Sequence, residues 1–179
     1  MFRSKPTQQT LRFLATLAVL VSVPLFSAHA DRKAAKKHGL SKQFMLSVQD
    51  GGKCMSKVSG DKLAQQLGAW KCRKNSSNQK FKIKWTKGAW FMLRAARGGL
   101  CVDVSGGSKN DAKPVVQWTC TGKPNQQWKM ASISKSSFQL QAKHSGKCLT
   151  LDGASKKVSK FVQRKCSKKN KAQRFSVPR

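Results

Sequence analysis

The sequence predicts an all-β fold assembled from three copies of one unit, and three observations carry that prediction. The six cysteines stand at 54 and 72, 101 and 120, 148 and 166, so Cys54, Cys101 and Cys148 follow one another at intervals of 47 residues. A Gln-x-aromatic element follows each second cysteine, as Gln79-Lys80-Phe81, Gln126-Gln127-Trp128 and Gln173-Arg174-Phe175, again 47 apart twice. Apolar residues alternate with period two, as in Phe81-Lys82-Ile83-Lys84-Trp85, between Gly-Gly, Ser-Gly and Asn-rich clusters. A fixed period of this length is the signature of a repeat architecture.

Taken from the N-terminus, residues 1–30 read as a secretory signal. Arg3, Lys5 and Arg12 give a positive start, Phe13 to Phe26 is apolar, and Ala28-His29-Ala30 supplies the small-x-small pattern for cleavage near Ala30. An uncleaved anchor is the alternative. The apolar run is short for a transmembrane helix, and no later run is long enough. Residues 31–43 then form a basic arm (Arg32, Lys33, Lys36, Lys37, Lys42), expected to be flexible. No amphipathic run of helical period and length is expected after Ala30.

The three units span 44–83, 90–130 and 138–177 within one domain, 44–179. They open on Phe44-Met45-Leu46-Ser47-Val48, Trp90-Phe91-Met92-Leu93-Arg94 and Phe138-Gln139-Leu140-Gln141-Ala142. Each holds about four short strands, too few to bury an apolar face alone, so the three must pack together. Six cysteines in a chain read as secreted point to disulfides, although six allow about fifteen pairings in principle. Repeat symmetry favours Cys54–Cys72, Cys101–Cys120 and Cys148–Cys166, each closing a loop worth about 3 kcal/mol in the loop-entropy account. A cross-repeat pairing is the alternative. No Cys-x-x-Cys occurs, and neither a metal nor a cofactor is expected.

Three units, each with a cysteine pair and a Gln-x-Trp/Phe near its end, resemble the ricin B-type lectin domain. The resemblance covers about Phe44 to Val177 and implies a β-trefoil: twelve strands, a six-stranded barrel and three capping hairpins. It also implies that Phe81, Trp128 and Phe175 are core residues. Sugar binding in that family uses an aspartate two residues after the first cysteine, an aromatic two before the second, and an Asn before the Gln-x-Trp. A neutral sugar suits such a set, because its apolar face lies on a ring while a few polar groups fix the hydroxyl pattern.

Only the middle unit fills every role, with Asp103, Trp118 and Asn125 beside Gln126. The first unit keeps Trp70 and Asn78 but has Ser56 for the aspartate, which makes a weaker site. The third has Thr150, Arg164 and Ala172 in the three places and has lost the constellation. One departure touches the middle unit: Val116 stands where the family often has glutamine. Gln117, one residue later on a strand, should point to the opposite face.

Charge supplies the second functional signal. The chain has 37 Lys and Arg against 6 acids, none of them glutamate, for a net charge of +31. Removal of the leader would leave +28. Such a field attracts polyanions, whether sulfated or other anionic polysaccharide, lipopolysaccharide or nucleic acid bound non-specifically. It is steepest in the third unit, with Lys156, Lys157, Lys160, Arg164, Lys165, Lys168, Lys169, Lys171 and Arg174.

Catalysis has little support in the sequence. Without glutamate, and with Asp103 and Asp152 in different units, a carboxylate pair for glycosidase chemistry is not expected. The symmetry also leaves no free thiol for a nucleophile. His38 and His144 read as surface residues, and Asn75-Ser76-Ser77 is a glycosylation sequon with meaning only in a eukaryotic source. The expectation is therefore a secreted lectin, or one in a periplasm or at a cell surface. Polyanion adhesion is the alternative, and targeting of a separate toxin or enzyme subunit is a further one.

Overall fold

The computed structural model describes residues 26–40, 42–58, 60–153 and 159–178. The first unit contributes β1 (Ser47–Val48), β2 (Cys54–Ser56), β3 (Gly68–Trp70) and β4 (Phe81–Trp85). The middle unit contributes β5 (Phe91–Ala95), β6 (Cys101–Val104), β7 (Val115–Trp118) and β8 (Gln127–Ser132). The third contributes β9 (Phe138–Ala142), β10 (Cys148–Asp152), β11 (Ser159–Arg164) and β12 (Phe175–Ser176). Four strands per unit is the number expected.

Six of these strands close a ring. Antiparallel ladders join β1 to β12, β12 to β9, β9 to β8, β8 to β5 and β5 to β4. A bridge between Phe44 and Phe81 returns β4 to the chain entering β1. The other six form the hairpins β2–β3, β6–β7 and β10–β11. These hairpins meet one another at Ala69–Ser159, Gln66–Val116 and Pro114–Val162. A six-strand ring with three mutually contacting hairpins is the β-trefoil.

The ring is filled by the repeated aromatics. In each unit the opening phenylalanine lies across from the closing aromatic: Phe44 from Phe81, Phe91 from Trp128, Phe138 from Phe175. All six are buried, among them Phe81, Trp128 and Phe175 as the resemblance implied. Each contributes on the order of 2 kcal/mol through apolar burial. Trp128 also needs a partner for its indole N–H, and it donates to the Val102 carbonyl at 3.0 Å. The three disulfides pair as symmetry favoured, with Cα–Cα separations of 4.9, 5.1 and 5.0 Å.

The arm corrects two expectations. Residues Phe26–Lys37 form a helix, α1, so a helical segment does continue past Ala30, and the arm is docked rather than loose. Ala35 and Leu40 join the hydrophobic core. The cause is local. Gly39 sits at φ 83°, Leu40 N–H donates to the Ala35 carbonyl, and Gly39 N–H donates to the Lys36 carbonyl. That reversal satisfies the last carbonyls of the helix and turns Leu40 back onto Ala35. Arg32 lies over Trp85 at 5.3 Å, and His38 packs edge-on against Phe138, half-buried rather than at the surface. Burial and the neighbouring Lys37 charge push the His38 imidazole below its ordinary pKa. The apolar leader, residues 1–25, lies outside the described residues. No described helix is long and apolar enough to cross a membrane.

Candidate functional site

In the middle unit the β6–β7 hairpin sets Asp103 opposite Val116 and Cys101 opposite Trp118. A single 3-10 turn, Pro124–Gln126, then brings Asn125 against the aspartate. Asn125 Nδ2 donates to Asp103 Oδ1 at 3.0 Å and to the Val104 carbonyl at 3.2 Å. Gln126 Nε2 donates to Asp103 Oδ2 at 2.8 Å. Each carboxylate oxygen thus spends one lone pair inside the protein and keeps another for a ligand hydroxyl.

Asp103 is largely buried, and desolvation pushes its carboxyl above the ordinary aspartate range. The two amide donors and the nearby His144 pull the other way without overcoming it. Trp118 remains 40% exposed, its ring free to stack. Together these residues line an open cleft of about 430 Å³, large enough for a small ligand such as a sugar.

Gln126 does not belong among the ligand-contacting groups. It is 0% exposed and works as a clamp. Its Oε1 accepts from Thr121 N–H at 2.7 Å and Gly122 N–H at 3.2 Å, while Nε2 also donates to the Thr119 carbonyl at 2.8 Å. The other units repeat the device on the residues flanking their second cysteines. Gln79 joins Arg73 N–H and the Lys71 carbonyl, and Gln173 joins Ser167 N–H and the Lys165 carbonyl. The glutamine of the repeat therefore exists to hold a loop. In the middle unit alone it also holds an aspartate.

Several lining groups lack a sequence signal. Ala64 reaches the cleft from the first unit at φ 61°, and Ser105, Gly106, Gly107 and Lys123 complete the wall. The 105–110 loop is tied down from the third unit. Gln163 Nε2 donates to the Ser108 and Asn110 carbonyls, both at 2.8 Å, and His144 Nε2 lies 3.0 Å from the Ser108 carbonyl. His144 is therefore half-buried, with an anchoring place instead of the surface one expected. Gln117 does turn away from the cleft. It is buried, and its Nε2 donates to the Gly60 and Lys62 carbonyls. Val116 lines the cleft instead.

The other two units are built differently at the corresponding positions. Trp70, 39% exposed, and Asn78 share a smaller cleft of about 260 Å³. Ser56 there is buried and donates to the Lys57 carbonyl, so no carboxylate faces the ring. In the third unit Thr150 is buried and accepts from Gln173, Arg164 pairs with Asp152 at 3.1 Å, and Ala172 is buried. That surface is satisfied internally.

Of the third-unit basic residues, Lys160, Lys165, Lys168, Lys169 and Lys171 are exposed. Arg174 is spoken for by the Lys168 carbonyl at 2.7 Å. Lys156 and Lys157 lie outside the described residues. Among the described residues no group of His, Cys, Asp or Glu could hold a metal ion, and every cysteine is in a disulfide.

The fold has many counterparts among solved structures. A designed threefold-symmetric protein, ThreeFoil, superposes with a TM-score of 0.71 at 22% identity, over 75% of this chain and 96% of its own. The Polyporus squamosus lectin, bound to a sialylated human-type influenza-binding epitope, gives 0.65 at 17% identity, over 76% and 48%. Cytolethal distending toxin from Actinobacillus actinomycetemcomitans gives 0.61 at 15% identity, over 76% and 88%. Likeness at these identities is likeness of fold. No curated protein matches the sequence. The sequence itself matches one family over three overlapping stretches, residues 33–118, 77–164 and 124–178, which together cover all three units. The chain belongs to the ricin-type beta-trefoil lectin domain-like family.

Proposed function

We propose that this protein is a secreted, non-catalytic lectin whose working site is the middle-unit cleft. One observation carries the reading: Asp103, Trp118 and Asn125 meet in a single cleft, with the carboxylate aimed by Gln126 and Asn125 and the indole left exposed. The ring takes the apolar face of a pyranose, and Asp103 accepts from its hydroxyls. The leader pattern and three disulfides favour an oxidising compartment.

A glycan array that includes sulfated glycans, run at low and high salt, tests it. The expected ligand is a neutral glycan retained in salt and lost in Trp118→Ala and Asp103→Ala. Absence of any neutral ligand would sink the reading. A second reading is favoured by the exposed lysines of the unit that lost its constellation: polyanion adhesion through Lys160, Lys165, Lys168, Lys169 and Lys171. It predicts retention on heparin, lipopolysaccharide or DNA that falls steeply with salt and with neutralisation of those lysines. Binding that survives both changes refutes it.

A further inference from the structure

We propose that Trp90 and the lysines around it form a separate binding site for a sulfated sugar, independent of the middle-unit cleft and of the third-unit lysines. Trp90 lies in the connection between β4 and β5, half-buried, and lines a shallow pocket of about 670 Å³. Lys129 Nζ lies 5.1 Å from the centre of its ring and Lys143 Nζ 5.6 Å, and Lys87 lines the same pocket. The three amines come from three parts of the chain: the first-to-middle connection, strand β8, and the turn after β9.

One ammonium over an indole is a common stabilising contact. A second over the same ring gains little from the ring and adds like-charge repulsion. Among the described residues none of the three lysines is in an ion pair, and the one carboxylate of the lining, Asp31, pairs with none of them. Lys143 is held in place all the same, because its Nζ donates to Gln127 Oε1 at 2.9 Å and Gln127 is fixed by the Gly122 carbonyl at 2.7 Å. An anchored amine and two companions, none of them ion-paired among the described residues, make a preformed site for an anion. The fold does not impose it. At the positions 47 residues away, Gln43 and Ser137 stand for Trp90, and Gln49 and Ala96 for Lys143.

The shape selects the ligand. A nucleic acid asks for a groove that tracks its backbone past successive rings, and this shallow pocket offers a single ring. A sulfate ester satisfies the amines, while the apolar face of the sugar that bears it meets Trp90, Met130 and Ala131.

The test titrates isotope-labelled protein at low salt with a defined sulfated heparin tetrasaccharide while the Trp90 indole N–H resonance is followed by NMR. Its desulfated counterpart, inorganic sulfate and a short single-stranded DNA are run in parallel. The Trp90 resonance should move saturably with the sulfated sugar. The desulfated sugar should leave it unmoved, and sulfate or DNA should bind at least about tenfold more weakly. Lys129→Gln with Lys143→Gln should weaken binding about tenfold or more, since charge-assisted bonds are among the strong ones. Lys165→Gln with Lys168→Gln and Lys169→Gln should change it about twofold at most. Trp90→Phe, which keeps an apolar ring, should give an intermediate loss. An unmoved Trp90 resonance in the unsubstituted protein overturns the proposal, as does equal affinity for the desulfated sugar, for sulfate or for DNA. So does a greater loss in the third-unit variant than in the Lys129/Lys143 variant.

Discussion

Replacing Gln126 by alanine removes five bonds at once: the donations to Asp103 and the Thr119 carbonyl, and the acceptances from Thr121 N–H, the Thr121 hydroxyl and Gly122 N–H. A net hydrogen bond is worth about 1 kcal/mol, and one to a charged group more. Thr121 is exposed, so water can re-satisfy part of the loop, and a total near 3 kcal/mol follows. For a chain of this size that lowers Tm by about 10 °C. Gln79→Ala is the internal control, since Gln79 makes the loop contacts without an aspartate and should cost about 1–2 kcal/mol.

The two variants also differ in titration. The Gln126 hydrogen bond lowers the Asp103 pKa against the rise that burial imposes, so its loss should move the carboxyl further up. Because the folded pKa is the higher one, Asp103 costs nothing at pH values below its unfolded pKa, where both states are protonated. It weighs against folding progressively as pH rises from there through the folded pKa. That window should widen in Gln126→Ala. Urea unfolding with disulfides intact, and carboxyl-carbon NMR of Asp103, measure the two effects. A stability loss no greater than that of Gln79→Ala, with the Asp103 titration unmoved, would refute the idea that Gln126 aims the carboxylate.

Four further outcomes follow from the structure. Neutral-sugar binding should fall on acidification at a higher pH than an ordinary aspartate would give, and should be flat with pH in Asp103→Asn; calorimetry at several pH values reads this. Trp128→Phe should cost about 2 kcal/mol, from a small cavity and an unpaired Val102 carbonyl, although the other units carry phenylalanine there; chemical denaturation measures it. Leu40→Ala should cost about 2–4 kcal/mol by undocking α1, visible in a melt. The depressed His38 pKa adds a pH dependence: full stability above its unfolded value, lost as pH falls through the folded one, and absent in His38→Gln.

The sequence by itself determined whatever is carried by a period. Spacing of 47 residues set the threefold plan and favoured the disulfide partners, because each unit must bury the same face against its neighbours, and the family resemblance that the spacing exposed implied the core identity of Phe81, Trp128 and Phe175. Through that resemblance it also showed which unit keeps Asp103, Trp118 and Asn125 together, since the family's sugar-binding roles sit at set distances from the cysteines. The tertiary structure decided what depends on contacts between units or on a single local reversal. It turned Gln126 from a ligand group into a clamp, because only the packed loop shows how completely its amide is used. It brought Ala64 from the first unit, and Gln163 and His144 from the third, to the middle-unit site, where no sequence spacing connects them. It docked the arm through Ala35 and Leu40, an attachment too short to show as helical periodicity. It gathered Lys87, Lys129 and Lys143 around Trp90, where the charge count alone had pointed to the third unit. Charge can be counted along a chain, but its convergence on one ring is a property of folded space.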